Sequence, residues 1–252
     1  MVPLVRHGYM EECYFDVSYT PVYVGRQVEG IFASVNEITD RVLATRRMQT
    51  LAALTTSLIG VGDLEHVART ALDVAAQNPL DLPFALLYLP DVQGEFQLAK
   101  SVGLSETQLR SWQRAPAHWS ERSLAGALAI TPLAAGPWPE PVREVALSSL
   151  MTLETATPLG LLVTGINARK HLDESYRDFL RLFSAQVASA LHSARLSEVL
   201  RLRHAELEAR TRALEAFEVW TRDLGIDTDP FELIGQAQAL LSSLLPVDVV
   251  VY

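Results

Sequence analysis

The chain carries one run of elements twice. Residues 47–89, RMQTLAALTTSLIGVGDLEHVARTALDVAAQNPLDLPFALLYL, read as an arginine-rich helix, a glycine break, a second helix and an apolar strand. Residues 210–252, RTRALEAFEVWTRDLGIDTDPFELIGQAQALLSSLLPVDVVVY, repeat that order, with Leu51 and Leu54 matched by Leu214 and Phe217 at an offset of 163 positions. Such a period exceeds the roughly 20–50 residues of a solenoid repeat. It predicts whole domains in tandem, joined by helices, an organisation suited to sensing and relay rather than catalysis. Two unrelated amphipathic helices of similar length are the competing reading.

Composition narrows the classes. Apolar residues make up 49% of the 252 positions and charged residues 20%, enough for a sizeable core and against bulk disorder. The net charge is −9, and no Lys/Arg run is dense enough to track a phosphate backbone, so nucleic acid is not an expected partner. The single cysteine, Cys13, rules out an internal disulfide framework and any multi-cysteine metal site, and points to a reducing compartment. The start MVPLVRHGYMEEC has no apolar signal-peptide core, and no apolar stretch reaches the roughly 18 residues of a membrane span. A cytoplasmic chain is expected.

Residues 13–19 alternate as a strand, Pro21 and the 25–27 turn break it, and VEGIFASV (28–35) is a second strand. This hairpin is marginal alone, and nothing N-terminal to it reads as more sheet. A helix follows from 37 to 59, capped by Asn36 or Thr39, with Ile38, Val42, Leu51, Leu54 and Leu58 as its stripe and Arg46 and Arg47 interrupting it. Gly60 and Gly62 end it, and Asp63 caps a helix with a broad apolar face. Strands are predicted at 83–89 and 95–102, the first covered on both faces. A short helix at 105–114 follows Ser105, and another at 121–129 follows Ser120. TPLAAGPWPEP reads as a loop, and strands return at 144–151 and 159–166. From Asp173 about 50 residues are helical, apolar at first and then thinning to a seam: Leu200, Leu207 and Leu214 at sevens, with Phe217 and Leu224 at the second heptad position. Arg203 and Arg210 weaken that second position. Glu206–Arg210 and Glu208–Arg212 are supporting i,i+4 pairs. Such a helix is roughly 75 Å long and calls for a partner, most simply a second copy in parallel.

The order of elements predicts an α+β fold, a central antiparallel sheet with flanking helices and a long C-terminal connector helix. NPLDLPFALLYLPDVQGEFQLAKSVGL, GPWPEPVREVAL and PLGLLVTGINARKHLDESYRDFLRLFSAQVASALHSARL together resemble the GAF domains of bacterial multi-sensor histidine kinases over about 50–195. GYMEECYFDVSYTPVYVGRQVEGIFASVNEITDRVLATRR resembles the C-terminal hairpin and exit helix of a PAS domain, and 211–252 resembles the opening of a second GAF domain. The resemblance implies a partial PAS domain at 1–36, a connector helix at 37–59, a GAF domain at 60–195, a coiled-coil-like connector at 196–224 and the start of a second GAF domain at 225–252. Both ends then cut through domains, as in a fragment or a broken gene.

The resemblance places a ligand cavity between the sheet and the segment 104–140, which holds Trp112, Trp119 and Trp138. Phe84, Leu86 and Tyr88 share a strand face, with Leu161 and Val163 opposite in some register. These eight residues are the pocket candidates, and each is equally a core residue. No metal or cofactor is expected: His66, His118, His171 and His192 lack ligand spacing, and no P-loop, G-x-G-x-x-G or G-x-S-x-G is present. His204 lies on the connector helix, but the proline of a kinase phospho-acceptor box and a glycine-rich ATP lid are missing, so it reads as a solvated linker histidine. Cys13 reads as a small hydrophobe rather than a chromophore anchor. The expected role is a non-catalytic sensory segment that is homodimeric through its helices. A ligand-free GAF dimerisation spacer, a non-functional fragment of a truncated sensor-kinase gene and a fragment of the kinase itself are the alternatives.

Overall fold

The computed structural model describes residues 1–6, 8–113, 119, 127–154, 157–223, 231, 234, 235 and 237–239. It divides into two compact units, Met1–Arg195 and Leu196–Tyr252. The first opens with two separate hairpins, β1 (Val2–Arg6) with β2 (Tyr9–Cys13), and β3 (Phe15–Val24) with β4 (Gln27–Glu37). Sequence reading missed β1 and β2. Their alternation is short, and it becomes a strand pair only through docking: the Glu12 N–H donates to the Arg169 carbonyl at 3.0 Å, and Cys13 is fully buried. β3 also runs straight through Pro21, which pairs with Ile31, instead of stopping there. A two-stranded ribbon has open edges, where a missing N–H removes no ladder bond.

Helix α1 (Thr39–Ser57) follows. Neither Asn36 nor Thr39 caps it. The N-cap is Ile38 with no side-chain bond, and the Thr39 hydroxyl instead accepts the Tyr14 N–H at 2.9 Å. Its buried stripe is Thr39, Leu43, Arg47, Thr50 and Leu54, so Arg47 belongs to the packed side rather than interrupting it, and Arg46 is half-buried beside it. Helix α2 (Leu64–Ala75) is capped as expected, Asp63 accepting the His66 N–H at 2.7 Å, and buries Val67, Ala68, Ala71, Leu72, Val74 and Ala75.

The central sheet is five-stranded and antiparallel throughout, in the order β6 (Phe96–Val102), β5 (Ala85–Pro90), β9 (Gly160–Gly165), β8 (Val142–Leu150), β7 (Ala127–Leu133). β7 was expected as the end of a helix and the start of a loop. Residues 127–129 and 131–133 are strand instead, because β8 offers an edge that propensity alone does not register. The proposed helix at 121–126, with Ser120 and His118, lies outside the described residues.

Side chains alternate across this sheet. Ala85, Leu87, Ala146, Leu150 and Leu162 face α1, α2 and the start of α4 (Glu174–Asp223). Phe84, Leu86, Tyr88, Val145, Leu147, Leu161 and Val163 face the other way. Asp173 starts α4 by accepting the Tyr176 N–H at 2.9 Å, and Tyr176, Phe179, Leu180, Phe183, Val187 and Leu191 are buried on the helical side. Gly103 closes the turn after β6 at φ +80, where a Cβ would stand 2.3 Å from the Pro83 carbonyl oxygen.

In the second unit the residues from Leu196 to Asp223 are helical. Leu200, Leu207, Leu214 and Phe217 are each more than half exposed. Glu206 pairs with Arg203 at 3.1 Å, not with Arg210 as the spacing suggested, and Glu208 accepts from His204 at 3.1 Å. These pairs are exposed and contribute little. Leu224 and the stretch 240–252 lie outside the described residues. Among the described residues no helix is long and apolar enough to cross a membrane.

Candidate functional site

On the sheet face away from the helices, α3 (Glu106–Leu109) and a 3-10 turn at Arg110–Trp112 lean over β5. Ser105 and Gln108 form a capping box, the Gln108 side-chain Oε1 accepting the Ser105 N–H at 2.8 Å. The Gln108 amide donates to the Ala134 carbonyl at 2.9 Å, tying the segment to the chain beyond β7. From below, the Tyr88 hydroxyl donates to the Trp112 carbonyl at 2.8 Å. Burial raises the Tyr88 phenol far above its usual range, so it remains a donor at every physiological pH.

The Phe84 ring meets Trp112 edge-on at 6.0 Å, and Trp112 meets Trp119 at 5.9 Å. Beside the two indoles lies a cavity of about 560 Å³, walled by Thr107, Gln108 and Ser111 on one side and Ile130–Leu133 on the other. That volume is in the range of small-molecule sites. No described lining residue is ionisable, so the cavity's chemistry is aromatic faces and hydroxyls.

The eight pocket candidates thus separate. Trp112 and Trp119 line the cavity. Leu86 pairs with Val163 and Tyr88 with Leu161, and together with Phe84 all five are closed off beneath the indoles as core. Trp138 stands elsewhere: the Arg169 guanidinium lies 4.4 Å above its ring and is held by Glu140 at 2.8 Å, which keeps the Glu140 carboxyl below the usual carboxylate range. The strand β7 supplies half the cavity wall, and sequence reading missed it. The alternation of Leu128 and Ile130 was the available signal.

A second cavity, about 380 Å³, lies between β2 and the chain around β8 and β9, with Tyr9, Glu144, Asn167 and Lys170 among its walls.

Nothing in the described residues gathers three or more His, Cys, Asp or Glu side chains as a metal site. His66 lies 3.8 Å from Asp63, His192 3.0 Å from Glu154, and His171 packs against Tyr9. Burial pushes the Cys13 thiol up, away from thiolate reactivity.

The densest polar cluster sits on the other side of the sheet. Glu12 and Asp81 are fully buried, and Arg46 bridges them at 2.7 Å to each. Arg47, 4% exposed, reaches Asp81 at 3.2 Å and Ser175 at 3.3 Å, with its guanidinium 4.3 Å over the Tyr176 ring. Burial opposes the Arg46 charge, but its bonds to Asp81 and Glu12 outweigh that and raise its pKa further. Asn78 donates to Asp81, and Asn167 donates to Glu12 at 3.0 Å. The Tyr176 hydroxyl donates to the Asp81 carbonyl.

No protein-family model and no curated protein sequence matches the chain. Solved structures do. The GAF domain of a phosphoenolpyruvate-protein phosphotransferase from Coxiella burnetii aligns at 20% identity over 62% of this chain and 98% of its own, with a TM-score of 0.48. The GAF domain of a putative sensor histidine kinase from Pseudomonas syringae pv. tomato aligns at 22% identity over 65% of this chain and 97% of its own, TM-score 0.46. The Stigmatella aurantiaca phytochrome photosensory core module aligns at 13% identity over 96% of this chain, TM-score 0.50, and the chain spans 53% of its length. At these identities the likeness concerns the fold alone, which is mixed α+β.

Proposed function

We propose that this chain is a non-catalytic sensory segment of a bacterial two-component sensor histidine kinase, working in the cytoplasm. Its GAF-like domain takes a small ligand or partner at the Trp112–Trp119 cavity. The change is passed on through connector helices at 37–59 and 196–224. Residues 1–36 belong to a partial PAS domain, 225–252 open a second GAF domain, and two copies pair along the Leu200, Leu207, Leu214, Phe217, Leu224 seam. A kinase core, if any, would lie outside this sequence.

The observation that supports the reading is the cavity itself, lined by two indoles on the sheet face opposite α1 and α4. Native mass spectrometry of the full chain against a library of neutral aromatic metabolites, with tryptophan fluorescence in parallel, tests it. A stoichiometric adduct that Trp112→Ala abolishes is the expected result. A ligand-free dimerisation spacer is the second reading, and the closed packing of Phe84, Leu86, Tyr88, Leu161 and Val163 favours it. A dimer with no adduct across the library would decide for the spacer.

A further inference from the structure

The hairpin β1–β2 is a poor structure on its own. It is a two-stranded sheet of five-residue strands, most of whose residues are exposed or half-buried. Such a ribbon is marginally stable in water. Its order comes from docking, and the docking contact is unusual. Glu12 inserts a carboxylate that solvent does not reach at all. One oxygen accepts from Arg46 and from the Tyr14 hydroxyl, both at 2.7 Å, and the other accepts from Asn167 at 3.0 Å. A buried charge of this kind persists only while its partners are in place.

Those partners are shared. The Arg46 guanidinium that holds Glu12 also holds Asp81, and Asp81 in turn holds Arg47, which reaches Ser175 and covers Tyr176 at the start of α4. Two carboxylates and two guanidiniums balance. Withdrawing the hairpin removes one negative charge and leaves the set with an excess positive charge beside α4. Restoring balance requires Arg46 to turn towards water, which it reaches already at 17% side-chain exposure, and that loosens its hold on Asp81.

We propose that hairpin β1–β2 is a detachable strap whose docked or undocked state is read by α1 and the first turns of α4 through Arg46, Asp81 and Arg47. This input is separate from the tryptophan cavity and holds whether or not that cavity takes a ligand. It supplies a two-state element, biased by whatever engages the N-terminal hairpin, and the coupling is reciprocal.

Hydrogen–deuterium exchange of the full chain, read by mass spectrometry, tests it. Tyr9→Ala removes the ring that sits 4.3 Å from His171 and belongs to none of the four charged residues of the cluster. Exchange in residues 8–14 should accelerate about tenfold, and exchange in 43–50 and 176–180 should rise by about threefold or more, with β9 unchanged. Glu12→Gln should give the same footprint at larger amplitude. Acceleration confined to 8–14 in either variant overturns the proposal, as does the absence of any acceleration in both.

Discussion

Removing Asp81 should be among the most damaging single changes in the first unit. The side chain is fully buried and neutralises two arginines at once, at 2.7 and 3.2 Å. Asp81→Ala leaves Arg47, 4% exposed, with Ser175 and an aromatic face but without its ion-pair partner, Asp173 remaining only as a Coulombic neighbour. Breaking a buried pair from one side costs about 3–5 kcal/mol, because the orphaned ion has no water to return to. Glu12→Gln is the informative comparison. Arg46 keeps Asp81 and has some access to solvent, so the loss is that of one charged hydrogen-bonding group, about 1–3 kcal/mol. Against a domain stability of about 5–15 kcal/mol both are measurable. With a urea m-value of about 2 kcal/mol/M, a loss of about 4 kcal/mol lowers the unfolding midpoint by about 2 M. Equilibrium urea unfolding followed by near-UV circular dichroism should rank wild type above Glu12→Gln above Asp81→Ala. A midpoint shift below about 0.5 M for Asp81→Ala, or a larger shift for Glu12→Gln, would refute the assignment of Asp81 as the shared counter-ion.

Three further outcomes are expected. Gly103→Ala forces a Cβ into the left-handed region and to 2.3 Å from the Pro83 carbonyl, and should lose about 2 kcal/mol or more in the same unfolding assay. Asp173 has a folded-state pKa below its ordinary value: burial opposes this, but bonds from the Tyr176 N–H and Lys170 prevail. Its contribution is therefore complete at neutral pH and lost as pH falls below about 4, so the urea midpoint should drop in acid, and Asp173→Asn should show a shallower drop. The double substitution Leu207→Lys, Leu214→Lys places charge on the exposed seam, and analytical ultracentrifugation should show a dimer converted to monomer. A seam variant that sediments like the unmodified chain would remove the helix as the dimer contact.

Periodic apolar patterns were readable because burial of one face is a local requirement. Asp63 as a cap, the buried face of α2, the doubly covered β5 and the continuous helix from Glu174 all follow from spacing that neighbours in sequence decide. β1, β2 and β7 were not readable in that way, since each becomes a strand by finding an edge or a docking surface supplied from elsewhere. The candidate site was half legible. Trp112 and Trp119 line a cavity, while Trp138 pairs with Arg169, a residue 31 positions away that no local pattern connects to it.

By itself, then, the sequence determined the α+β class, the order of most elements and the exclusion of disulfide and zinc-cysteine frameworks, all of which depend on composition and on contacts between near neighbours. The tertiary structure decided what Arg46 and Arg47 are for. In the sequence they break an apolar stripe. Folded, Arg46 sits against Glu12, 34 positions upstream, and Asp81, 35 positions downstream, and Arg47 sits against the same Asp81. A charge becomes a packing residue only when its counter-charge arrives through space, and Coulomb attraction in a dry interior carries no signature in the spacing of the chain.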